Sequence, residues 1–182
     1  MALRRHVADE DQEARSSRRN GWLRLDDAAL LRECRQERYR AGGPGGQRRN
    51  KVETAIRLHH RPSALTSHAE ELRSPEGNRT RALRRLRERI ALELRAPFDM
   101  EAPALPREFL AQRGAKGNLS VNRRNPAYPI VIAILLDALE SAEGSYAKAA
   151  RPLGLTTSQV LRFLRSDPHV WRTVEQAQRR PG

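Results

Sequence analysis

The sequence predicts an α+β fold: a small sheet with a glycine-rich loop, packed on one long amphipathic helix and followed by a small all-α subdomain. Three observations predict it. Thr54–His59 reads T-A-I-R-L-H, an alternation that suits a half-buried strand, and Cys34–Arg40 alternates more weakly on the far side of a glycine-rich segment. Glu76–Leu94 repeats Leu83, Leu86, Ile90 and Leu94 at helical spacing. From Ile130 onward, short helical patterns follow one another with no strand between them.

In chain order, residues 1–25 mix both charge signs and read as a flexible N-terminal segment. Asp26 or Asp27 can cap a short helix through Ala28, Leu30 and Leu31. Residues 26–97 form the first folded domain. In it, Ala41–Gln47 has four glycines within five residues, a composition that excludes helix or strand interior and marks a loop. Pro62-Ser63-Ala64 is a turn, and Ser67–Leu72 is a further short strand. The long helix carries Arg79, Arg81, Arg84, Arg85, Arg87 and Arg89 around its apolar stripe, and by itself that run reads as a solvated face. Pro97 ends the helix. Residues 98–128 are a basic linker with one turn of helix around Arg107–Gln112, and Arg113–Arg124 carries four positive charges and no negative one. Residues 129–182 form a helical domain of Ile130–Glu140, Ser145–Ala150, Thr157–Arg165 and His169–Ala177. Its stretch Ala149–Leu164 resembles a helix-turn-helix, with Gly154 in the turn, Thr156 as cap and Ser158–Arg165 as the recognition helix. Pro152 departs from that pattern, because proline disrupts a helix interior. Arg162, Arg165 and Arg172 would be its nucleic-acid contacts. A packed bundle without such contacts is the other reading.

Composition narrows the function. The 182 residues hold 35 Lys and Arg against 22 Asp and Glu, a net charge of +13, which points to a polyanionic partner. Lys51, Lys116 and Lys148 are the three lysines. Arginine forms forked contacts to phosphate and stacks on bases, so this usage suits nucleic acid better than a membrane surface. A single cysteine, Cys34, excludes an internal disulfide framework and reads as a buried thiol. The five histidines show no zinc-ligand spacing, so no metal or cofactor is expected. The absence of an apolar leader or a membrane-length run gives a cytoplasmic expectation.

The glycine-rich loop fails as a nucleotide cradle. It has no Lys-Ser/Thr pair after its glycines, and Gly43-Pro44-Gly45-Gly46-Gln47-Arg48 lacks the last glycine of a dinucleotide loop. What remains is Gly45-Gly46-Gln47, flanked by Arg40, Arg48, Arg49 and Lys51. Arg40–Ala64, R-A-G-G-P-G-G-Q-R-R-N-K-V-E-T-A-I-R-L-H-H-R-P-S-A, resembles the GGQ domain of class I peptide chain release factors and of their short, codon-independent ribosome-rescue relatives. Leu72–Leu86 resembles that family's R-S-Q-x-x-N-x-x-x-A-x-x-x-L segment, with Asn78 and Ala82 in place. The resemblance spans roughly residues 26–96. It departs where the family has His and Val after Gln (Arg48, Arg49), Thr-Gly after the proline (Ser63, Ala64) and Ser-Gln before the long helix (Ser74, Pro75).

The resemblance implies hydrolysis of the peptidyl-tRNA ester in the rRNA of the peptidyl transferase centre, with Gly45, Gly46 and Gln47 catalytic. Two glycines leave no Cβ to clash with the tRNA end, so the Gln47 amide N–H can reach the developing oxyanion or the leaving 3′-oxygen. The Gln47 side chain has no titratable group and would shape the pocket, admitting water and excluding larger nucleophiles. Arg40, Arg48, Arg49, Asn50, Lys51, Arg57 and Arg61 would hold the loop against RNA, with Arg84, Arg85, Arg123 and Arg124 as further RNA contacts. Arg35–Arg61 has eight basic and two acidic residues, so six of the thirteen net charges fall here. The implied partners are the ribosome and peptidyl-tRNA, with a methyltransferase acting on Gln47, and the implied state is a monomer. Full-length decoding factors are much longer and carry a stop-codon-reading domain. This sequence has no P-x-T or S-P-F tripeptide, which favours a codon-independent reading, and it departs from the short relatives in lacking their Lys/Arg-rich tail, so a stalled ribosome would be sensed differently. Two rivals remain: a nucleic-acid-binding module that uses its C-terminal helices with a catalytically silent loop, and an auxiliary that completes a split release factor.

Overall fold

The computed structural model describes residues 18–40, 53–114 and 117–179. The chain divides into two compact units: Asn20–Ile90, and the residues from Ala91 on together with the segment up to Arg19.

The first unit holds residues 20–24 of a helix that spans 18–24 (α1), then α2 (Asp27–Arg32), β1 (Cys34–Tyr39), β2 (Ala55–His60), β3 (Thr66–Ala69) and α3 (Pro75–Glu93) as far as Ile90. The expectation of a flexible segment to residue 25 does not describe residues 18–24. They are helical, with Trp22 and Leu23 buried. Asp26 caps α2, accepting from the Ala29 N–H at 2.7 Å. The strands form an antiparallel sheet in the order β1-β2-β3, with Tyr39 opposite Ala55 and Ile56 opposite Ala69. Period-two alternation puts Ile56, Leu58 and His60 on the buried face beside Ser67 and Ala69, while Arg57 and His59 stay exposed. The long helix carries the buried Ala82, Leu83, Leu86 and Ile90. Its contacts to the sheet include Ser67 Oγ donating to the Ala82 carbonyl at 2.8 Å and the Arg79 Nε donating to Gln36 Oε1 at 3.1 Å. Pro75 opens that helix at a position where its missing N–H costs nothing, and Ser74 Oγ accepts from the Gly77 N–H at 3.2 Å.

The β2–β3 turn passes through Ala64 at φ +59°, the left-handed region, and closes with the His60 N–H on the Leu65 carbonyl at 2.9 Å. Alanine there costs about 1–2 kcal/mol that glycine would not. The sheet closes around the turn regardless.

His60 is fully buried, edge-on to Trp22 with ring centres 5.0 Å apart. Its Nε2 lies 3.0 Å from Glu33 Oε2 and its Nδ1 2.7 Å from Ser63 Oγ. Burial pushes its pKa below the usual 6.5, against the pull of the Glu33 carboxylate. It is therefore neutral, with Nε2–H donating to Glu33 and the Ser63 hydroxyl donating to Nδ1. The unfolded chain takes up this proton near pH 6.5, whereas the folded chain resists it. The stability that His60 contributes is thus present above pH 6.5 and lost as pH falls from there toward its lowered native pKa. Thermal melts across this range should show the loss, and a His60→Gln variant should flatten it. An unchanged profile in that variant would remove the assignment.

The second unit holds α4 (Arg107–Leu110), α5 (Tyr128–Ser141), α6 (Tyr146–Ala150), α7 (Thr157–Ser166) and α8 (Pro168–Gln178). Residues expected to be linker are folded here: Phe109 is fully buried, and Arg113 bridges to Leu119. The fifth helix is apolar on every side and is buried from Tyr128 to Leu139, as such a helix must be. In its C-terminal half sits the buried Asp137, bonded twice by Arg19, at 2.6 and 2.5 Å, and by the Ala96 N–H at 3.0 Å. Among the described residues no helix is long and apolar enough to cross a membrane.

Candidate functional site

The candidate site is the connection between β1 and β2. Gly45, Gly46, Gln47, Arg48, Arg49, Asn50 and Lys51 lie outside the described residues, so the structure speaks for the frame that carries them. That frame is built from both strand ends. Arg40 leaves β1 and Glu53 enters β2, and the Arg40 Nε lies 3.4 Å from Glu53 Oε1 in an exposed pair. One residue back, the Tyr39 hydroxyl donates to Glu70 Oε2 at 3.3 Å, and the Arg57 guanidinium sits 5.0 Å from the Tyr39 ring centre. Burial and then the Glu70 carboxylate hold the Tyr39 pKa above its usual value, so this hydroxyl stays a donor.

Asn78 fixes the β2 side. It is fully buried in the first turn of α3. Its Nδ2 donates to the Thr54 carbonyl at 2.7 Å and to the Leu72 carbonyl at 2.9 Å, and its Oδ1 accepts from the Leu72 N–H at 3.0 Å. One amide thereby ties the residue preceding β2 to the approach of the long helix. Sequence reasoning placed Asn78 in the family pattern but gave it no role. The available signal was an asparagine near a helix start, where its side chain competes well for backbone groups.

The structure sorts the remaining candidates by what their guanidinium groups touch. Arg57 projects from the exposed face of β2, 3.9 Å from Glu37 Oε2. Arg61 follows β2 at the end away from the loop, and there it donates to the Arg32 carbonyl at 2.7 Å and the Glu33 carbonyl at 3.3 Å. Arg85 donates to the His68 carbonyl at 2.7 Å and pairs with Glu71. Burial opposes ionisation of Glu71, but the Arg85 bond and backbone donors outweigh it and hold its pKa below the usual range. Arg84, one residue earlier, is exposed. Arg40 and Arg57 therefore stand near the loop root, while Arg61 and Arg85 brace the scaffold. Arg123 and Arg124 belong to the second unit, where Arg123 lies 3.4 Å from Asp167 and Arg124 is exposed.

The titratable groups of the frame are set up for structure. Cys34 is buried, with Sγ 3.2 Å from the Leu30 carbonyl. Burial and then the Glu33 charge push its thiol to about 11, too high for a nucleophile at neutral pH. His60 is neutral and enclosed. Among the described residues no cluster of three or more His, Cys, Asp or Glu could hold a metal ion. The frame thus presents a backbone loop between pinned strand ends, with arginine at its root.

Comparison with known proteins agrees with this arrangement. The RF-1 domain model matches residues 30–128, more than half of the chain. Peptide chain release factor 1 of Chloroherpeton thalassium is 45% identical over 58 residues, 32% of this chain and 16% of that protein. The chloroplastic peptide chain release factor PrfB1 of Arabidopsis thaliana is 52% identical over 51 residues, 28% of this chain and 11% of that protein. Peptide chain release factor 1 of Lachnoclostridium phytofermentans is 37% identical over 81 residues, 44% of this chain and 23% of that protein. The chain therefore spans less than a quarter of the length of these curated relatives. The matched segment runs from α2 to the first residue of α5 and encloses the loop and its frame, and the chain belongs to the RF-1 domain family.

Proposed function

We propose that this chain enters the ribosomal A site and triggers hydrolysis of the peptidyl-tRNA ester without reading a stop codon. The observation that carries the reading is Gly45-Gly46-Gln47 within an RF-1 domain, between two strand ends held by Arg40–Glu53 and Asn78–Thr54. In this mechanism the ribosome supplies the reaction site and the loop supplies a backbone donor. The Gln47 N–H stabilises the charge that develops when water attacks the ester, and the Gln47 side chain limits which nucleophile enters. Arg40, Arg57 and the loop's Arg48, Arg49 and Lys51 neutralise phosphates and fix position without reading sequence. The partners are rRNA and peptidyl-tRNA, the protein acts as a monomer in the cytoplasm, and Gln47 is a substrate for a methyltransferase.

Codon independence is supported by the lack of P-x-T and S-P-F tripeptides. The test is release of labelled peptide from ribosomes stalled on a sense codon and on a stop codon. Equal release from both is expected. Release confined to the stop codon would establish the auxiliary-decoding reading instead, and release from neither would leave the binding-module reading.

A further inference from the structure

The second unit carries a basic surface apart from the glycine-rich loop and its frame. The segment between α6 and α7 passes through Gly154 at φ +61°, a conformation that side chains rarely adopt. The Gly154 carbonyl accepts from Arg113 Nη2 at 3.0 Å, and a Cβ on Gly154 would meet that nitrogen at 2.8 Å. Thr156 then starts α7 with a full capping box: its hydroxyl accepts from the Gln159 N–H at 3.2 Å, and Gln159 Oε1 accepts from the Thr156 N–H at 2.8 Å. Both the entry and the first turn of α7 are therefore held by specific bonds.

This helix has two distinct sides. Val160, Phe163 and Leu164 are buried. Ser158, Arg162 and Arg165 are exposed and lie at i, i+4 and i+7, one continuous stripe. The Arg165 guanidinium sits 4.8 Å from the Trp171 ring centre, and Trp171 stacks on Tyr146, so this arginine is held in place while still exposed. Between Ser145 and Thr173 the sequence has five basic residues and one acid, Asp167. That acid is buried and already engaged. It accepts from the Tyr128 hydroxyl at 2.7 Å and the His169 N–H at 2.8 Å, and it lies 3.4 Å from Arg123. No carboxylate within this stretch is left to neutralise Arg162 and Arg165. The Arg123 contact also brings the exposed Arg124 to the C-terminal end of α7.

We propose that the exposed face of α7 is a second nucleic-acid contact, one that binds the phosphate backbone of base-paired RNA. Its chemistry favours phosphate over base edges. Gln159, the amide best suited to pair with a base, is spent in the capping box, and the stripe offers two guanidinium groups and a hydroxyl. Contacts of this kind hold position and are indifferent to sequence. Duplex RNA suits them because its deep, narrow major groove leaves the backbone as the accessible feature. The choice of RNA over DNA rests on the ribosomal reading given above, whereas the contact face itself does not.

The test uses the full chain and fluorescence anisotropy with a 20-base-pair RNA duplex, a DNA duplex of the same sequence and single-stranded RNA, across a salt series. The Arg162→Ala/Arg165→Ala double variant should bind the RNA duplex at least about tenfold more weakly, with a log K against log salt slope shallower by about two. An equal charge loss elsewhere in the unit, Arg107→Ala/Arg179→Ala, should change affinity less than twofold. Equal weakening by both pairs would reduce the effect to general charge attraction and overturn the proposal, as would an unchanged α7 variant. Tighter binding of the DNA duplex than the RNA duplex would overturn the assignment to RNA. The readout involves no peptide release. Failure of the release assay with α7-dependent RNA binding intact would thus remove the ribosomal mechanism alone, and the converse would remove this contact alone.

Discussion

Peptide release by a Gly46→Ala variant is expected to fall at least about 100-fold while ribosome binding stays within about threefold. In the proposed mechanism the Gln47 N–H is the donor to the oxyanion, and the loop backbone carries it. The variant keeps every side chain that meets phosphate, so the electrostatic part of binding survives. It adds a Cβ to a backbone that in the proposed mechanism lies against the tRNA end, and it penalises the left-handed conformations open to glycine. The Gln47 N–H is then displaced from the position of the oxyanion, and losing one such aimed donor costs about 100- to 1,000-fold in rate. Gln47→Ala keeps the N–H and removes the pocket-shaping amide. Its loss should be smaller, and it should accept a larger nucleophile such as hydroxylamine that the wild type excludes. Single-turnover release at saturating protein separates the two effects. Undiminished release by Gly46→Ala would remove the mechanism.

The frame of this site was largely legible in the sequence because its signals are local. Asp26 before an apolar turn specifies a cap, T-A-I-R-L-H specifies a two-sided strand, and Leu83, Leu86 and Ile90 specify one helix face. Thr156 and Gln159 spell a capping box within four residues. What escaped was long-range. The arginines of α3 and β2 look alike as a sequence, yet Arg85 and Arg61 spend their donors on carbonyls 17 and 29 residues away, and Arg84 does not. Charge counting cannot separate an arginine that braces a scaffold from one that meets a ligand, because the difference lies in which acceptor the fold brings near. The helical residues 18–24 were hidden for the same reason. Their surroundings mix charges of both signs, and burial comes from partners such as His60, which lies far along the chain from Trp22. The loop itself is known from residue identity alone.

The largest stability effect is expected at Arg19, a residue that reads as one more surface cation. Its side chain is fully buried, with Asp137 4% exposed beside it. The two form a forked pair, and Arg19 Nη1 also donates to the Leu94 carbonyl at 3.1 Å. A buried pair of this kind adds little over an apolar pair of similar volume, but removing one member strands the other charge where water cannot reach it. Arg19→Met should therefore destabilise the chain by about 3–5 kcal/mol, measured by urea unfolding. Asp137→Leu should cost a similar amount, because it removes the carboxylate that pairs with Arg19 and accepts from the Ala96 N–H. The double variant is the decisive one. If the cost of each single change is mainly an uncompensated charge, both charges vanish together and most of the loss is recovered. The Leu94 carbonyl keeps its bond from Arg95 Nη1, but the Ala96 N–H loses its acceptor, at about 1–3 kcal/mol, so recovery should fall short of wild type. Additive losses would instead mean that the two side chains contribute separately, by packing, and that the forked pair is not what holds this part of the chain to α5.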